Sequence, residues 1–362
     1  MSVHAFPGGH ITPSFPSLRR CVLRQGPPDR VHVIELHQDE AAKAEVAARF
    51  GLARGLDPAD PLFALRRDVE VQSFLGYDLV RIHAPESEFR VDLNLDDPNA
   101  GFERTPQGYV VHEHAGPIQT AEHLERYPWP DAARIDSRPF TWAEEHLPEG
   151  MAGYDLAMQV FEACTWLMGY ESLFLNMALQ PGLVEALVER VGQAALAYVE
   201  FLCQFDRIGV VFGCDDMGHR TGPLVSPQWL RERILPWHRR AAAIAHAHGK
   251  LYFLHSCGNV EALLPDFVRD VGIDAKHSFE DTVLPVTEFH RLHHHEVATL
   301  GGIDLDFLCR GGETAIRRRV RETLDACMPL GGYVLGSGNS IASYCPVDSW
   351  LTMLDEGHRW RP

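Results

Sequence analysis

Lys250 to Asn259 reads K-L-Y-F-L-H-S-C-G-N. An apolar run with strand character ends in an imidazole and a thiol two positions apart, then stops at a glycine. In an extended chain, residues i and i+2 point to the same side. His255 and Cys257 therefore face one point. A nitrogen and a sulfur donor aimed at one point are half of a zinc site; the alternative is two small residues closing the end of a core.

The chain around this stretch repeats one unit. R-I-G-V-V-F-G (207–213) reads as a strand. A helix follows, with Ser226 as N-cap, Pro227 at its first position, Pro236 dividing it and Gly249 closing it. After the strand at 250–255 the pattern predicts helices over 259–271, 283–294, 306–327 and 346–358. Strands at 273–277, 296–300 and 333–336 alternate with them. Five strand–helix units in succession imply parallel strands with right-handed crossovers.

The first half adds strands at 31–36, 78–83 and 155–161, which makes eight. Residues 181–204 form a long amphipathic helix. The expected fold is a single α/β domain over 1–362, a (β/α)8 TIM barrel. Residues 88–117 alternate in hydrophobicity and are expected to form a small hairpin insertion in the N-terminal half.

Composition narrows the function. The 362 residues are 45% hydrophobic, enough for a large core, and carry a net charge of −17. That excludes general nucleic-acid binding and docking on an anionic membrane. No apolar run approaches the roughly 20 residues that span a bilayer. The N-terminus lacks a basic start followed by an apolar stretch, so no signal peptide is expected. A cytoplasmic enzyme is the expectation. Eight cysteines spread through so long a chain are no disulfide scaffold, and most are expected to be reduced, buried thiols.

Barrel enzymes place their chemistry at the C-terminal ends of the strands. In order, those ends carry Glu35 and His37, His83, Glu162, Cys214–Asp215–Asp216, His255 and Cys257, His277 and Glu280, Asp304 and Asn339. Helix capping explains one or two of these; it explains the whole ring poorly. Adjacent aspartates point to opposite faces of a strand, so Asp215 and Asp216 divide between substrate and structure. Asp216 is expected to orient substrate or a metal-bound water. Asp215 is kept as a substrate contact. His277 and Glu280 are candidates for acid–base work, Asn339 for a hydrogen bond to substrate oxygen. His293–His294–His295, His246 and His248 fall on the opposite face and are expected to be silent. Arg317–Arg321 reads as an exposed helix face.

G-C-D-D-M-G-H-R-T-G-P-L-V-S-P-Q-W-L-R-E, H-S-C-G-N, L-G-G-I-D and G-S-G-N-S-I…P-V-D-S-W, with D-R-V-H-V-I-E at 29–35 and F-L-G-Y-D at 74–78, together resemble the uroporphyrinogen decarboxylase superfamily. One branch decarboxylates uroporphyrinogen without metal. It carries an M-R-Q-A-G-R-Y motif, and L-R-Q-G-P-P-D-R (23–30) lacks its second arginine in register. The other branch contains zinc-dependent methyltransferases working with corrinoids, and its H-x-C zinc pair matches His255 and Cys257.

A third zinc ligand in thiol-methylating members is a cysteine after the last strand, where this chain has Asn339. Cys345 is the nearest cysteine and the expected third ligand. Glu35, Glu162 and His277 are substitutes, Glu35 and Glu162 otherwise contacting substrate. The resemblance thus implies a methyltransferase using zinc, a small O-methylated donor and a cobamide on a separate corrinoid protein. Homodimers are common in the superfamily. A metal-free decarboxylase and a non-catalytic binding barrel are the rival readings.

Overall fold

The computed structural model describes residues 11–26, 28–96 and 113–361. Seven strands form one parallel sheet whose spatial order is their chain order. They are β1 (Leu79–Arg81), β2 (Ala152–Ala157), β3 (Ile208–Cys214), β6 (Leu251–His255), β7 (Ala275–His277), β8 (Ala298–Leu300) and β9 (Tyr333–Val334). Between β3 and β6 a short antiparallel hairpin intervenes, β4 (Gly218–His219) and β5 (Gly222–Pro223). Helical crossovers join successive strands, as an all-parallel sheet requires.

The expected eighth strand differs. Residues 31–36 run beside β9 through a single parallel bridge, Val33 to Leu335. Ile34 N donates to Leu335 O at 2.8 Å and Leu335 N to His32 O at 2.9 Å. No backbone ladder joins this segment to β1 among the described residues. Side chains do so instead. Buried Asp78 accepts from Ser14 N at 2.6 Å, Arg30 Nη2 at 2.5 Å and His32 Nδ1 at 2.7 Å. Higher up, Arg81 Nη1 of β1 lies 3.3 Å from His37 Nδ1, and from β2 the Tyr154 hydroxyl reaches the carbonyls of Glu35 and Leu36 at 3.1 and 3.2 Å. The sheet is curled, with seven laddered strands and one stitched segment.

Other boundaries move for local reasons. The strand expected at 155–161 ends at Ala157, because Met158 adopts φ +58° and Val160 starts a helix. The long helix after β3 divides at Ile234, two residues before Pro236, into Pro227–Arg233 and Leu235–Ala247; Ser226 Oγ caps the first from 3.2 Å. Gly311–Gly312 splits 306–327 into Leu305–Arg310 and Glu313–Cys327. The hairpin expected over 88–117 falls largely on 97–112, outside the described residues.

Alternation along the strands sends one set of side chains inward. Ile34, Leu79, Val210, Phe212, Leu251, Phe253, Leu300 and Val334 fill the interior. Phe212 and Phe253 meet edge to face at 5.5 Å. Helix Phe15–Val22 closes one end with Leu18, Cys21 and Val22. Each such fully buried side chain contributes roughly 1.5–3 kcal/mol. The outward set packs on the helices in a second, larger core. Among the described residues no helix is long and apolar enough to cross a membrane.

Candidate active site

Strand register decides what faces the open end. Cys214, His255 and His277 are partners across β3, β6 and β7. Two residues on, Asp216 and Cys257 follow the same side. His255 Nε2 stands 3.2 Å from Cys257 Sγ and 3.3 Å from Asp216 Oδ1, and the three donor atoms lie within 4.8 Å of one another.

The turn after β6 holds this arrangement. Asp216 Oδ1 accepts from Cys257 N at 2.8 Å, Ser256 Oγ from Met217 N at 3.1 Å, and His219 O from Asn259 N at 2.8 Å. Gly258 has φ +74°, and a Cβ there would sit 2.5 Å from the carbonyl carbon of Gly218. A Cβ on Gly218 would sit 2.5 Å from Cys257 O. The glycine that ends the H-S-C run is what lets the β4–β5 hairpin lie against the donor turn.

His277 orients His255, their Nδ1 atoms 2.7 Å apart. Burial, then the neighbouring His255 and Lys276, hold His277 well below the usual histidine range. A neutral His277 can accept the proton on His255 Nδ1, which leaves His255 Nε2 facing Asp216 and Cys257.

The charges around the three donors are uneven. Burial opposes ionisation of Asp216, but the His255 imidazole and the Cys257 amide prevail and hold it at about 2. Burial, then Asp216, push the Cys257 thiol well up. Burial, then Asp216 and Asp215, push Glu162 well above the carboxylate range, and its Oε2 is buried without a hydrogen-bond partner among the described residues. Carboxylate, imidazole and thiol, beside the Glu162 carboxyl, form a donor set that suits zinc.

Asn339 adjoins this set as a donor. Its Nδ2 lies 3.3 Å from Cys257 Sγ, and its Oδ1 accepts from Ser340 Oγ at 3.2 Å. Cys345 does not join the set, which corrects its expected role. It is 2% exposed at the start of helix Val347–Arg359, where burial, then Cys309, push its thiol to about 12. Asp216 stands as the third donor in its place.

Two further expectations are corrected. Asp215 is fully buried and turned toward the helices. Its oxygens accept from Phe161 N at 3.0 Å and Glu162 N at 2.7 Å, and His238 Nε2 is 2.8 Å away. It caps helix Val160–Met168 rather than meeting substrate. Glu35 is 1% exposed and clasps Ser337, whose amide and hydroxyl both donate to it. Burial, offset in part by Ser337, raises Glu35 to about 8.

Glu280 lines a rim cavity with Asp304 and Asn339. Asp304 caps the next helix, Oδ1 accepting from Phe307 N at 3.0 Å. His293 lies beside Glu261 and Glu296, and His246 bonds Asp274, away from the donor set.

Arg81, Asp155 and Tyr198 form a second cluster that the pattern of strand ends does not name. Arg81 Nε donates to buried Asp155 at 2.6 Å, His83 Nδ1 lies 3.3 Å from the same carboxylate, and the Tyr198 hydroxyl donates to it. The signal was available. Arg81 and His83 are two apart in L-V-R-I-H, as His255 and Cys257 are in L-H-S-C.

Residues 156–360, more than half of the chain, match the family model described as uroporphyrinogen decarboxylase (URO-D). No curated protein matches the chain. Among solved structures, a methyltransferase from Methanosarcina mazei is similar at 16% identity, covering 94% of this chain and 97% of that one, with a TM-score of 0.66. At that identity the likeness is one of fold. A B12-independent methionine synthase from a Shewanella species is similar at 12% identity over 82% of this chain and 85% of that one, TM-score 0.42.

Proposed function

The chain belongs to the uroporphyrinogen decarboxylase family, and on that footing we propose that it is a zinc-dependent methyltransferase. It moves a methyl group from a small O-methylated donor to the cobalt of a corrinoid on a separate protein. The convergence of Asp216 Oδ1, His255 Nε2 and Cys257 Sγ within 4.8 Å carries this reading. Decarboxylation without metal has no use for a thiol and an imidazole aimed at one point.

Asp216, His255 and Cys257 would hold the zinc. When bound, zinc supplies a Lewis acid that makes an ether oxygen a better leaving group. The bond that breaks joins the methyl carbon to oxygen. The corrinoid, when present, would supply the two-electron nucleophile that takes the methyl, while the oxygen keeps the bonding pair and takes a proton. Glu162, half-buried with its Oε2 enclosed and its carboxyl pushed well up by burial and then Asp216, would give that proton. His277 keeps His255 in one orientation, and Asn339 offers a donor at the Cys257 sulfur.

The test measures zinc in purified protein and demethylation with and without a corrinoid protein. About one zinc per chain, lost in Cys257→Ser, is the expected result for this donor set. Demethylation should require the corrinoid protein. Turnover that survives chelation, or that proceeds without cobamide, would remove the reading.

A further inference from the structure

A cavity of about 580 Å³ mixes apolar and polar lining. Its apolar lining includes Phe89, Leu156 and Trp166. Its polar lining includes Arg81, His83 and Tyr198. Two of its lining residues lead to the site. Ser340 donates to Asn339, which in turn donates to Cys257. Gln159 reaches the Glu162 carboxyl.

The polar lining holds two cations to one buried carboxylate. Asp155, fully buried, takes Arg81 Nε, His83 Nδ1 and the Tyr198 hydroxyl. The terminal nitrogens of Arg81 end on imidazoles instead: Nη1 is 3.3 Å from His37 Nδ1 and Nη2 is 3.0 Å from His83 Nδ1. Burial opposes the charge on His83, but Asp155 and Glu88 prevail and raise it to about 9. A protonated His83 cannot accept from Arg81, so Nη2 faces another donor. Burial, then Arg81 and Lys43, hold His37 down at about 4. His83 Nε2 meets Glu88 Oε1 at 3.0 Å, and the Glu88 side chain is 65% exposed. An exposed ion pair of this kind contributes little, so a second carboxylate can replace it at small cost.

We infer that this cavity binds the carboxylate of a flat, apolar acid, with Arg81 and His83 on the carboxylate and Phe89 and Trp166 along the ring. A planar guanidinium fork beside a charged imidazole suits a planar two-oxygen anion. Glu88 is the internal stand-in that the ligand displaces.

The test is calorimetric titration of the purified chain at neutral pH with benzoate and with benzamide, its neutral isostere. Neither probe requires metal or cobamide. Benzoate should bind, and benzamide should bind at least about tenfold more weakly, since charge-assisted bonds are lost. Glu88→Gln, at an exposed site, should tighten benzoate by removing its competitor, and His83→Gln should loosen it. Arg81→Lys, which keeps a charge against Asp155, should also loosen it; circular dichroism checks that it folds, and the Glu88 variant decides if it does not. Equal binding of the two probes, no benzoate binding, or a Glu88 variant that leaves benzoate unchanged would overturn the inference. Benzoate binding by a chain that neither holds zinc nor moves a methyl group would keep the inference and remove the methyl-transfer reading. Zinc loading and methyl transfer without benzoate binding would do the reverse.

Discussion

His255 and His277 meet through their Nδ1 atoms at 2.7 Å, as register partners on adjacent strands. One ring presents its other nitrogen to Asp216 and Cys257, and the second ring fixes the first. The donor set therefore depends on a residue that contributes no donor. His277→Phe should lower zinc affinity by about 10–100-fold, as losses of outer partners do, while Cys257 and Asp216 stay in place. Competition with a chromophoric chelator measures this, and unchanged affinity would count against zinc at His255.

Adjacent Asp215 and Asp216 should respond oppositely to substitution. Asp215→Ala removes the partner of His238 Nε2 and uncaps helix Val160–Met168. Each buried donor left without an acceptor costs about 1–3 kcal/mol, readable by urea unfolding. Asp216→Asn should cost little stability but lower zinc content.

Glu35 gives a pH signature. Its folded value of about 8 lies above the ordinary 4.5. A raised carboxyl contributes stability that is full below the unfolded value and is lost as pH rises toward the folded one. Glu35→Gln, which keeps a partner for Ser337 without ionising, should therefore gain on wild type as pH rises from 4.5 to 8. The gain is at most about 1.4 kcal/mol per pH unit. Urea unfolding at several pH values tests it, and parallel curves for the two proteins would refute it.

Gly258→Ala joins a positive φ to a Cβ in contact with the Gly218 backbone. We expect a loss of about 1–3 kcal/mol and a fall in zinc content, because the β4–β5 hairpin must move from the turn that seats Asp216. Retention of both stability and metal would show that the hairpin has no part in the site.

Much of this was legible in alternation alone. Strand–helix alternation implies the parallel order of the later strands, and the period of two places His255 with Cys257. It also said that Asp215 and Asp216 must part. What it could not supply was contact between distant segments. Nothing near Asp215 in sequence names His238, which approaches from a helix after the next hairpin, or Ser337 as the partner of Glu35 some 300 residues away. Cys345 lies near Asn339 in sequence, yet it faces Cys309 and the helix layer.

The stitched segment at 31–36 has a mechanical consequence. A ladder shares load among many equivalent bonds and resists shear as a unit; stitches give way one at a time. Along this seam the connections are Asp78 below, Arg81 of β1 to His37 above, and Tyr154 reaching across from β2. That line is where the wall parts first. Backbone amides along it should exchange with deuterium before those between β3 and β6, and a force pulling the N-terminal segment outward should open the curl there without unzipping the other strands.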